Sequence, residues 1–569
     1  MSKIEIKNLT FTYPGADAPT LRSLSAEIEE GDFIAIVGNN GCGKSTLCKT
    51  LNGLIPHFIL GDMEGVVRID GEDTRKQEIG TLAKKAGYVY QDFENQIVCP
   101  TVLEDASFAC LNYAMPDYEE KGRQALSICG LASKIQDYVW QLSGGQKHLL
   151  ALAGMAALSP DILILDEPIA QLDPAHADKI YEVLKELNEE YRKTVIVIEH
   201  HTEYIAKFCK NVMLLKDGTV KWKLPAKEAM RRVDELQESD IFPPQVTIAA
   251  RRMEAEGILP KGTALPVDIE EGRNLLLPFL RRKQSGERTV SKKIPAGEPL
   301  VRFSNVTVKY RSVKGEPPKV FDRFNLEIKK GEKIALIGSN GAGKSTMLKL
   351  MMGLVHPEEG GVYVKDRLTR ELSKEELGKT ISLVYQNPEE MFIKDSIRKD
   401  IEYAMKARKI PEYEKRTEKL LEMFRLTELA ERDGRLLSGG QMRRASLAIG
   451  VALNPEMLLL DEPTANLDIA TRREIMKTLA MLKDITDTVV IATHDMQLVC
   501  DWAERIIVLC GGYVIADGPK EEIFSDMYVR GQVGIRPPQI YDMGRELGIK
   551  DPCFTVDEFI EYFRGEQYA

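Results

Sequence analysis

Two stretches of this sequence read Gly38-Asn39-Asn40-Gly41-Cys42-Gly43-Lys44-Ser45 and Gly338-Ser339-Asn340-Gly341-Ala342-Gly343-Lys344-Ser345. Both match G-x-x-x-x-G-K-[ST], a glycine-rich loop whose backbone amides cradle phosphate groups. Each stretch follows a short apolar run typical of a buried strand and precedes a helix-like run that begins at Thr46 or Thr346. Because a helix N-terminus favours anions, this context predicts a phosphate-binding loop in both places.

Further matches in register indicate that the two loops belong to a repeated unit. Lys44 and Lys344 are 300 positions apart, whereas Asp166 and Asp461 are 295 apart. A period of this length is far longer than a solenoid repeat, so it indicates a duplicated domain. We expect the small change in spacing to lie in loops, one of them after the phosphate-binding helix.

Apolar runs within each copy predict the fold class. Residues 162–165 and 194–198 are nearly continuous apolar runs, which are typical of buried parallel strands. The shorter runs at residues 4–6 and 66–69 look peripheral, and we expect those strands to be antiparallel. The alternation of short strands with longer helical segments predicts an α/β fold with a parallel core sheet in each copy.

Composition excludes several classes of protein. The 569 residues suggest three or four domains at about 150 residues each. No apolar run approaches the roughly 20 residues needed to cross a bilayer, and no signal-peptide core is present, so we expect a soluble intracellular protein. The net charge of −10 argues against a nucleic-acid partner. The nine cysteines form no C-x-x-C pair, which argues against zinc and iron–sulfur sites.

An acidic pair at the end of a buried strand forms the next candidate site. Asp166-Glu167 follows residues 162–165, and Asp461-Glu462 ends the matching strand. Ligands of α/β proteins sit at the carboxyl ends of strands, where buried carboxylates are costly unless they meet a cation or a reactive group. We expect each aspartate to help hold Mg²⁺ and each glutamate to polarise an attacking water.

The last residues of each phosphate loop carry complementary roles. Lys44 and Lys344 would reach the β- and γ-phosphates of a nucleotide. Ser45 and Ser345 would offer their hydroxyls to Mg²⁺. The repeat therefore predicts two complete nucleotide sites.

A repeated pentapeptide identifies the family. It reads Leu142-Ser143-Gly144-Gly145-Gln146 in the first copy and Leu437-Ser438-Gly439-Gly440-Gln441 in the second. A Ser-Gly-Gly start to a helix presents a hydroxyl and bare backbone amides, which suit a γ-phosphate. With these motifs the chain resembles ATP-binding cassette (ABC) ATPases, whose signature motif the pentapeptides match. The resemblance runs from about Ile4 to Gly518 and implies two tandem P-loop NTPase domains with ATP and Mg²⁺ as cofactors.

The resemblance implies a role for every matched residue. In this family two cassettes pair head to tail, and each ATP lies between one phosphate loop and the opposite signature motif. The implied catalytic residues are Glu167, His200, Glu462 and His494. The implied ATP-binding residues are Tyr13, Gly38, Asn39, Gly41, Gly43, Lys44, Ser45, Thr46, Gln91, Ser143, Gly144, Gly145, Gln146, Asp173, Tyr310, Gly338, Asn340, Gly341, Gly343, Lys344, Ser345, Thr346, Gln386, Ser438, Gly439, Gly440, Gln441 and Asp468. The implied magnesium ligands are Ser45, Gln91, Asp166, Ser345, Gln386 and Asp461.

The two copies also differ close to these motifs. Ile169 replaces Thr464, and Glu199 replaces Thr493 before the histidine. Such differences leave both sets of catalytic residues complete but predict unequal docking grooves, which suits an asymmetric partner. Cys42 in the first loop is interpreted as a small filler residue, with a redox-sensitive thiol as the alternative.

The repeat extends beyond the cassettes. Phe242-Pro243-Pro244-Gln245-Val246 recurs as Arg536-Pro537-Pro538-Gln539-Ile540, each followed by a helix-like segment. A basic stretch with Pro and Gly and no apolar periodicity separates the copies and reads as a flexible linker. The predicted domains are a first ABC ATPase domain (1–223), a first C-terminal appendage (224–280), the linker (281–299), a second ABC ATPase domain (300–518) and a second C-terminal appendage (519–569).

The appendages, together with the opening Phe11-Thr12-Tyr13-Pro14-Gly15, resemble those of the ATPases of energy-coupling factor (ECF) transporters. That resemblance implies an importer of a vitamin or a transition-metal ion. It also implies two partners, a transmembrane coupling protein and a membrane-embedded substrate-binding protein, and a peripheral location on the cytoplasmic face of the cell membrane. The appendages would help to hold the cassettes together.

Two other readings remain open. One is the ATPase of a conventional ABC transporter. The other is a soluble twin-cassette protein such as a ribosome-associated translation factor, although those usually carry a long, charged helical linker between the cassettes. Repair and chromosome-maintenance ATPases would need zinc cysteines or a long coiled coil, and the sequence has neither.

Overall fold

A computed structural model describes residues 2–170, 172–281, 297–309, 319–339, 341–465, 467, 469–482 and 485–564. The chain divides into two compact units, one made of Met1–Arg282 with Gln539–Ala569 and one made of Lys283–Pro538. Tyr310, Asn340, Asp468 and most of the predicted linker lie outside the described residues. Across the described ranges, no helix is both long and apolar enough to cross a membrane.

The core of the first unit is a six-stranded sheet. Five neighbouring strands run parallel and the edge strand Thr219–Pro225 is antiparallel. The strands predicted from their apolar runs are buried along their whole length, so the parallel core is confirmed. In spatial order the strands are Thr219–Pro225, Asn211–Lys216, Phe33–Val37, Thr194–Ile198, Ile162–Asp166 and Ala86–Val89.

A smaller antiparallel sheet flanks this core, as expected for the peripheral strands. Its order is Leu21–Glu29, Ser2–Thr12, Asp62–Ile69 and Glu72–Asp73. Ile4 and Ile6 pair across to Ile69 and Val67, and all four side chains are buried. Up to residue 237, the helices of the first unit are Lys44–Leu51, Leu54–His57, Ile79–Lys85, Val102–Asn112, Tyr118–Ile128, Gly144–Ala157, Pro174–Glu189, Thr202–Phe208, Ala226–Arg231 and Val233–Gln237.

The second unit repeats this architecture. Its six-stranded sheet follows the order Ile381–Val384, Met457–Asp461, Thr488–Ala492, Lys333–Gly338, Arg505–Cys510 and Tyr513–Gly518. Its antiparallel sheet follows the order Lys319–Lys329, Pro299–Lys309, Glu359–Val364 and Arg367–Leu368. Its helices are Lys344–Met351, Lys374–Thr380, Ile397–Ala407, Tyr413–Met423, Gly439–Val451, Ile469–Met481, Met496–Trp502, Lys520–Ser525 and Met527–Val533.

Segments of both appendages share one hydrophobic core in the first unit, which we call the appendage module, while residues 519–538 of the second appendage lie in the second unit. Its helices are Gln245–Ala255, Ile269–Leu276, Gln539–Glu546 and Val556–Ile560. Val246 and Met253 from the first appendage are fully buried beside Ile540 and Met543 from the second. The chain therefore leaves the first unit, builds the second and returns to complete the module. The domain boundaries predicted from the repeat stay predictions.

Candidate functional site

The first phosphate loop has a backbone that only glycine accommodates at its two ends. Gly38 has φ +154°, and a Cβ there would lie 2.3 Å from the carbonyl oxygen of Leu215. Gly43 is left-handed at φ 101° and precedes the helix Lys44–Leu51. Nζ of Lys44 donates hydrogen bonds to the carbonyl oxygens of Gly38 and Asn39 at 2.8 and 3.0 Å. The loop thus wraps around a buried ammonium group, which places a positive charge at a helix N-terminus, where phosphate is favoured.

The second loop has the same geometry. Gly338 has φ +157° and its Cβ would lie 2.3 Å from the carbonyl oxygen of Leu509, while Gly343 has φ 101°. Nζ of Lys344 donates to the carbonyl oxygens of Gly338 and Ser339 at 2.7 and 3.3 Å. Both copies therefore adopt the backbone conformation of a phosphate-binding loop.

The side chains at position 42 and its counterpart are packing groups. Cys42 is buried, and burial raises the pKa of its thiol, which disfavours a reactive thiolate. Ala342 occupies the matching buried position. These observations favour the interpretation of Cys42 as a filler residue.

The aspartate at the end of the core strand lies against the loop serine in each cassette. Asp166 is buried, accepts a hydrogen bond from Tyr88 at 3.0 Å, and also bonds the hydroxyl of Ser45. Burial raises the pKa of Asp166 and of Asp461, and hydrogen bonds from Ser45 and from Ser345 oppose that rise. A buried carboxylate beside a hydroxyl, in a site where its charge is disfavoured, suits a hard cation with oxygen ligands.

These groups fit Mg²⁺. Ser45 with Asp166, and Ser345 with Asp461, would hold the ion, and Gln91 and Gln386 are the further ligands predicted from the sequence. Among the described residues no cluster of three or more His, Cys, Asp or Glu side chains could hold a metal. Mg²⁺ does not need one, because it keeps waters and phosphate oxygens among its ligands.

The candidate catalytic glutamate of each cassette adopts an unusual backbone conformation. Glu167 has φ 51° and Glu462 has φ 46°, in the left-handed region that non-glycine residues avoid. Their amides donate to the carbonyl oxygens of Ile198 and Ala492 on the neighbouring strand, at 3.0 and 2.9 Å. Strained residues of this kind cluster at functional sites. The same strain in both copies points to a shared demand on the direction of the carboxylate.

Each glutamate faces the histidine that the resemblance predicted. Nε2 of His200 lies 3.3 Å from Oε1 of Glu167, and Nδ1 of His494 lies 2.9 Å from Oε2 of Glu462. Burial opposes the charge of the His494 ring, but Glu462 raises its pKa above the ordinary value. In the first cassette Nε2 of Gln91 also donates to Glu167 at 2.9 Å. The structure thus brings Gln91, Glu167 and His200 together beside the loop.

The neighbours of the two histidines differ. In the first cassette Glu199 is buried and accepts hydrogen bonds from Tyr181, from the amides of His200 and His201, and from the His201 ring at 2.7–2.9 Å. Burial raises and these hydrogen bonds lower the pKa of Glu199, with a net decrease. In the second cassette the hydroxyl of Thr493 accepts from the Asp495 amide at 3.0 Å instead. The backbone amide of His200 therefore donates to a buried carboxylate, whereas the residue before His494 is a neutral threonine.

The signature motifs begin helices. The amide of Gln146 donates to Oγ of Ser143 at 3.3 Å, and the amide of Ser143 donates to Oε1 of Gln146 at 3.0 Å, which forms a capping box. The amide of Ser438 donates to Oε1 of Gln441 at 3.1 Å. No described hydrogen bond joins either motif to the phosphate loop of its own cassette. The predicted head-to-tail pairing of loop and signature stays a prediction.

Close packing requires glycine at the second glycine position of each signature motif. A Cβ at Gly145 would lie 2.2 Å from Cδ2 of His176, and a Cβ at Gly440 would lie 2.4 Å from Cγ2 of Thr471. Gly144 and Gly439 have open space around them, since nothing lies closer than 3.9 Å to a Cβ there. The bare amides that the sequence predicted for phosphate binding are thus retained at a helix N-terminus.

Two further predicted residues have structural contacts. The hydroxyl of Tyr13 lies 3.0 Å from Oγ1 of Thr46, so the ring lies next to the phosphate-loop helix. Asp173 caps the helix Pro174–Glu189 by accepting from the His176 amide at 3.1 Å and contacts the His176 ring at 2.7 Å. The adenine role of Tyr13 and the nucleotide role of Asp173 stay predictions.

Sequence reasoning missed a contact between the signature helix and the segment around Gln91 or Gln386. His148 stacks on Phe93 with ring centroids 4.2 Å apart. At the matching position, Arg443 donates to the carbonyl oxygens of Tyr385 and Gln386 at 2.9 and 2.7 Å. Burial lowers the pKa of His148 to about 4 and that of Arg443 to about 10. The sequence does contain a signal for this contact, because in both copies a titratable residue occupies a position of the signature helix where an apolar residue is expected.

With this geometry established, comparison with known proteins identifies the class. The chain matches the family described as ABC transporter over residues 21–170 and 321–465. It belongs to that family, as a chain with two ATP-binding cassettes, and it is an ATP-binding ATPase.

Its relatives share nearly its whole length. Two proteins from Methanosarcina acetivorans and Methanosarcina mazei, each provisionally named an ABC transporter ATP-binding protein, are both 32% identical over 99% of this chain and cover 94% and 97% of their own lengths. Among solved structures, cbiO1 from Clostridium perfringens, part of the ABC transporter complex cbiONQ, is 27% identical over 45% of this chain and 99% of its own, with a TM-score of 0.39. The bacterial cassette MJ0796 is 31% identical over 39% of this chain and 98% of its own, with a TM-score of 0.35.

Proposed function

We propose that this protein is the energy-coupling ATPase of an ECF-type importer that takes up a vitamin or a transition-metal ion. It would act on the cytoplasmic face of the cell membrane, bound to a transmembrane coupling protein and a membrane-embedded substrate-binding protein. The observation that carries the proposal is the appendage module. The ATPase of a conventional transporter needs no such module. In an importer of the ECF type, the appendages would hold the two cassettes together.

The module is closed by a reciprocal contact. Oε1 of Gln245 accepts the amide of Ile540 at 3.0 Å, and Oε1 of Gln539 accepts the amide of Val246 at 3.1 Å. Each glutamine comes from a Pro-Pro-Gln sequence and caps the helix of the other copy, where the amides lack helical partners. The repeated sequence therefore has a physical function, which supports its use as a sign of the ECF class.

A groove beside Gln91 supports a membrane partner. The cavity has a volume of about 310 Å³ and lies between the core sheet and the helix Val102–Asn112. Its rim carries Val98 and Phe108, and Leu111 is exposed on the same helix. Its one charged lining residue, Asp105, is buried and accepts the amides of Val98 and Cys99 at 2.8 and 3.0 Å. An exposed apolar groove of this kind suits a helical segment of another protein.

The site residues support hydrolysis in the following way. Lys44 and Lys344 bind the phosphates, and bound Mg²⁺ would neutralise phosphate charge during transfer. Glu167 and Glu462 accept a proton from the attacking water, since each carboxylate lies beside the phosphate loop at the end of a core strand. His494 holds the Glu462 carboxylate through Nδ1, whereas Nε2 of His200 lies 3.3 Å from Glu167 without a hydrogen bond to it, and Gln91 donates to that carboxylate instead. Movement of the segment that follows Gln91 would carry the change in nucleotide state to the groove.

The test is reconstitution with the membrane proteins encoded beside this gene. The complex is placed in liposomes that enclose ATP, and uptake of radiolabelled vitamins and of Co²⁺ or Ni²⁺ from the outside is measured, so that only complexes whose ATPase faces the lumen contribute. We expect uptake of one substrate that requires ATP. The Glu167→Gln, Glu462→Gln double variant serves as the matched control and should assemble without transporting.

Other outcomes would contradict the proposal. Export, or uptake that depends on a soluble binding protein, would assign the chain to a conventional transporter. Purification with ribosomes and not with membrane proteins would assign it to the soluble twin-cassette class. Deletion of residues 539–569 should abolish assembly of the importer, and an unchanged complex would remove the argument from the appendages.

A further inference from the structure

The loop that carries Gln91 or Gln386 is held in place differently in the two cassettes. We call residues 90–96 the first glutamine loop and residues 385–391 the second glutamine loop. Each follows the parallel edge strand of its core sheet, and the glutamine at its second position has an exposed side chain. An exposed side chain is directed into a site only when the backbone that bears it is fixed. The anchors of the two loops are therefore part of the sites.

The first glutamine loop is fixed by its own last residue. Oε1 of Gln96 accepts the amide of Tyr90 at 2.8 Å, and Nε2 of Gln96 donates to the carbonyl oxygen of Tyr88 at 3.0 Å. Met391 occupies the matching position of the second loop. A thioether has no donor and is only a weak acceptor, so Met391 cannot form this pair of hydrogen bonds. The second loop needs another anchor.

That anchor is Arg443, on the signature helix Gly439–Val451. Its Nη1 and Nη2 donate to the carbonyl oxygens of Tyr385 and Gln386 at 2.9 and 2.7 Å. These carbonyls belong to the two peptide groups on either side of the Gln386 Cα atom. Arg443 is 3% exposed, so water does not compete for the bonds, and a charged donor makes them stronger than neutral ones. The guanidinium group thus fixes the backbone of Gln386 on both sides.

The first cassette has no such link between its signature helix and the backbone of its loop. The described contacts there are made by side chains, since His148 stacks on Phe93 and Lys147 pairs with Glu94 at 2.8 Å. Neither ring nitrogen of His148 has a hydrogen-bond partner in the part of the chain that the structure describes. Each cassette therefore has one backbone anchor, which lies within the loop in the first and on the signature helix in the second.

Arg443 also lies near the acidic pair of the second site. Burial lowers the pKa of Arg443 to about 10, and the nearby carboxylates of Glu462 and Asp461 oppose that decrease. The guanidinium group thus remains charged at neutral pH. It could act on the site in two ways, by fixing the loop or by its charge, and the two can be separated by experiment.

We propose that Arg443 is a positioning residue of the second ATP site, which fixes the backbone of Gln386 from the signature helix as Gln96 fixes the first loop from within. A movement of the second signature helix would thus be passed to Gln386 through two hydrogen bonds. The inference concerns the ATPase site and does not depend on the substrate that is transported. It uses the predicted role of Gln386 as a ligand of Mg²⁺.

The first measurement is hydrogen exchange in the full chain without nucleotide, read from peptides that cover residues 385–392. Arg443→His places the residue of the first cassette at this position. Exchange should become about tenfold faster, the change expected when about one hydrogen bond of a buried donor is lost. Arg444→His is the matched control, because Arg444 is next on the same helix and pairs with Glu474 instead. It should leave the loop unchanged.

The second measurement is the Mg²⁺ concentration that gives half-maximal binding of a fluorescent ATP analogue. All chains carry Lys44→Ala, which weakens phosphate binding in the first cassette, so the signal reports on the second. Arg443→His should raise this concentration about tenfold, as expected when the support of a metal ligand is lost. Arg444→His should not.

A neutral anchor separates positioning from charge. Met391→Gln, added to Arg443→His, supplies the anchor of the first cassette and should return both the exchange and the Mg²⁺ concentration toward their original values. Rescue by Arg443→Lys but not by Met391→Gln would assign Arg443 an effect of charge on Asp461 and Glu462 and overturn the proposal. Unchanged exchange in Arg443→His, or faster exchange with an unchanged Mg²⁺ concentration, would overturn it as well.

The reciprocal exchange of residues covers the case in which Arg443→His does not fold. Gln96→Met should speed exchange in residues 90–96, and His148→Arg, added to it, should slow that exchange again by transferring the anchor to the first signature helix. Failure of His148→Arg to restore protection, in a chain that folds, would overturn the proposal.

Discussion

Nδ1 of His494 lies 2.9 Å from Oε2 of Glu462, at the carboxyl end of a core strand. This contact links Glu462, the candidate general base of the second site, to the loop that follows the neighbouring core strand and carries His494. Glu167→Gln with Glu462→Gln removes both carboxylates while the amides keep the same shape. We expect turnover to fall at least about 100-fold, with ATP binding retained.

Steady-state ATPase assays and equilibrium binding of a fluorescent ATP analogue measure the two quantities. Glu182→Gln with Glu428→Gln, at exposed positions outside the motifs of the two cassettes, is the matched control for the loss of two charges. Hydrolysis that persists in the double variant would remove the glutamates from the role of base.

The left-handed backbone of Glu462 predicts an inverted order of stability for two small substitutions. Glu462→Gly should be more stable than Glu462→Ala by about 0.5–1 kcal/mol, because glycine adopts φ 46° without the Cβ penalty. Chemical denaturation of the two variants measures the difference. At Glu474, inside the helix Ile469–Met481, the order should be the ordinary one, with alanine more stable.

Burial of His148 predicts loss of stability in acid. Its side chain is 1% exposed, and its folded pKa is about 4 against an ordinary value of 6.5. Because the unfolded chain binds the proton first, stability falls as the pH decreases from about 6.5 to about 4, by up to about 3 kcal/mol. His148→Leu should flatten this part of the profile. A His148 resonance that titrates near 6.5 in NMR spectra would contradict the prediction.

The pair of Asp173 and His176 predicts the opposite slope. The hydrogen bond that the His176 ring donates to Asp173 raises the pKa of His176. Burial raises the pKa of Asp173, but the contact with His176 outweighs it and lowers that pKa. The contribution of the pair is therefore complete between about pH 3.8 and 6.5 and is lost as the pH rises through the raised value.

His176→Gln should remove this alkaline loss, as measured by urea unfolding midpoints of the first unit between pH 6 and 9. The second cassette has Thr471 at the matching position, which cannot titrate in this range, so His176→Gln should leave the slope of the second unit unchanged. An alkaline slope of the first unit that His176→Gln does not alter would contradict the prediction.

The appendage module predicts an effect at a distance in sequence. Met543 is fully buried among side chains of the first appendage, so Met543→Ala should destabilise the first unit by about 2–5 kcal/mol. Hydrogen exchange resolved by peptide would show the loss within Met1–Arg282 and not in the second cassette. Met347→Ala, at a fully buried position of the second cassette, should show the reverse pattern.

Much of the fold was predictable because the apolar pattern of the core strands in the sequence matches their burial in the structure. The runs at 162–165 and 194–198 are apolar at every position except Thr194 because both faces of these strands are buried. The candidate catalytic residues could be named from the sequence because they lie in or beside short motifs, and their roles stay predictions. The helices of the appendages begin at Gln245 and Gln539, and the side chain of each glutamine accepts an amide at the start of the helix from the other copy.

Other features needed three dimensions. No local pattern reveals that residues 539–546 pack on residues 245–255, since that contact joins segments almost 300 positions apart. The positive φ of Glu167 depends on its strand neighbours, and glutamate itself disfavours it. The burial of Glu199 could not be foreseen either, because an anion is tolerated there only through donors from Tyr181 and His201.

The return of the chain to the appendage module sets an order of synthesis. The ribosome makes the second cassette before residues 539–564, so Val246 and Met253 emerge long before the partners that cover them. Because domains generally fold as they emerge, the cassette made second can complete its core while the unit made first still exposes an apolar surface. The first unit can therefore complete its folding only at the end of translation, after the second cassette has been made.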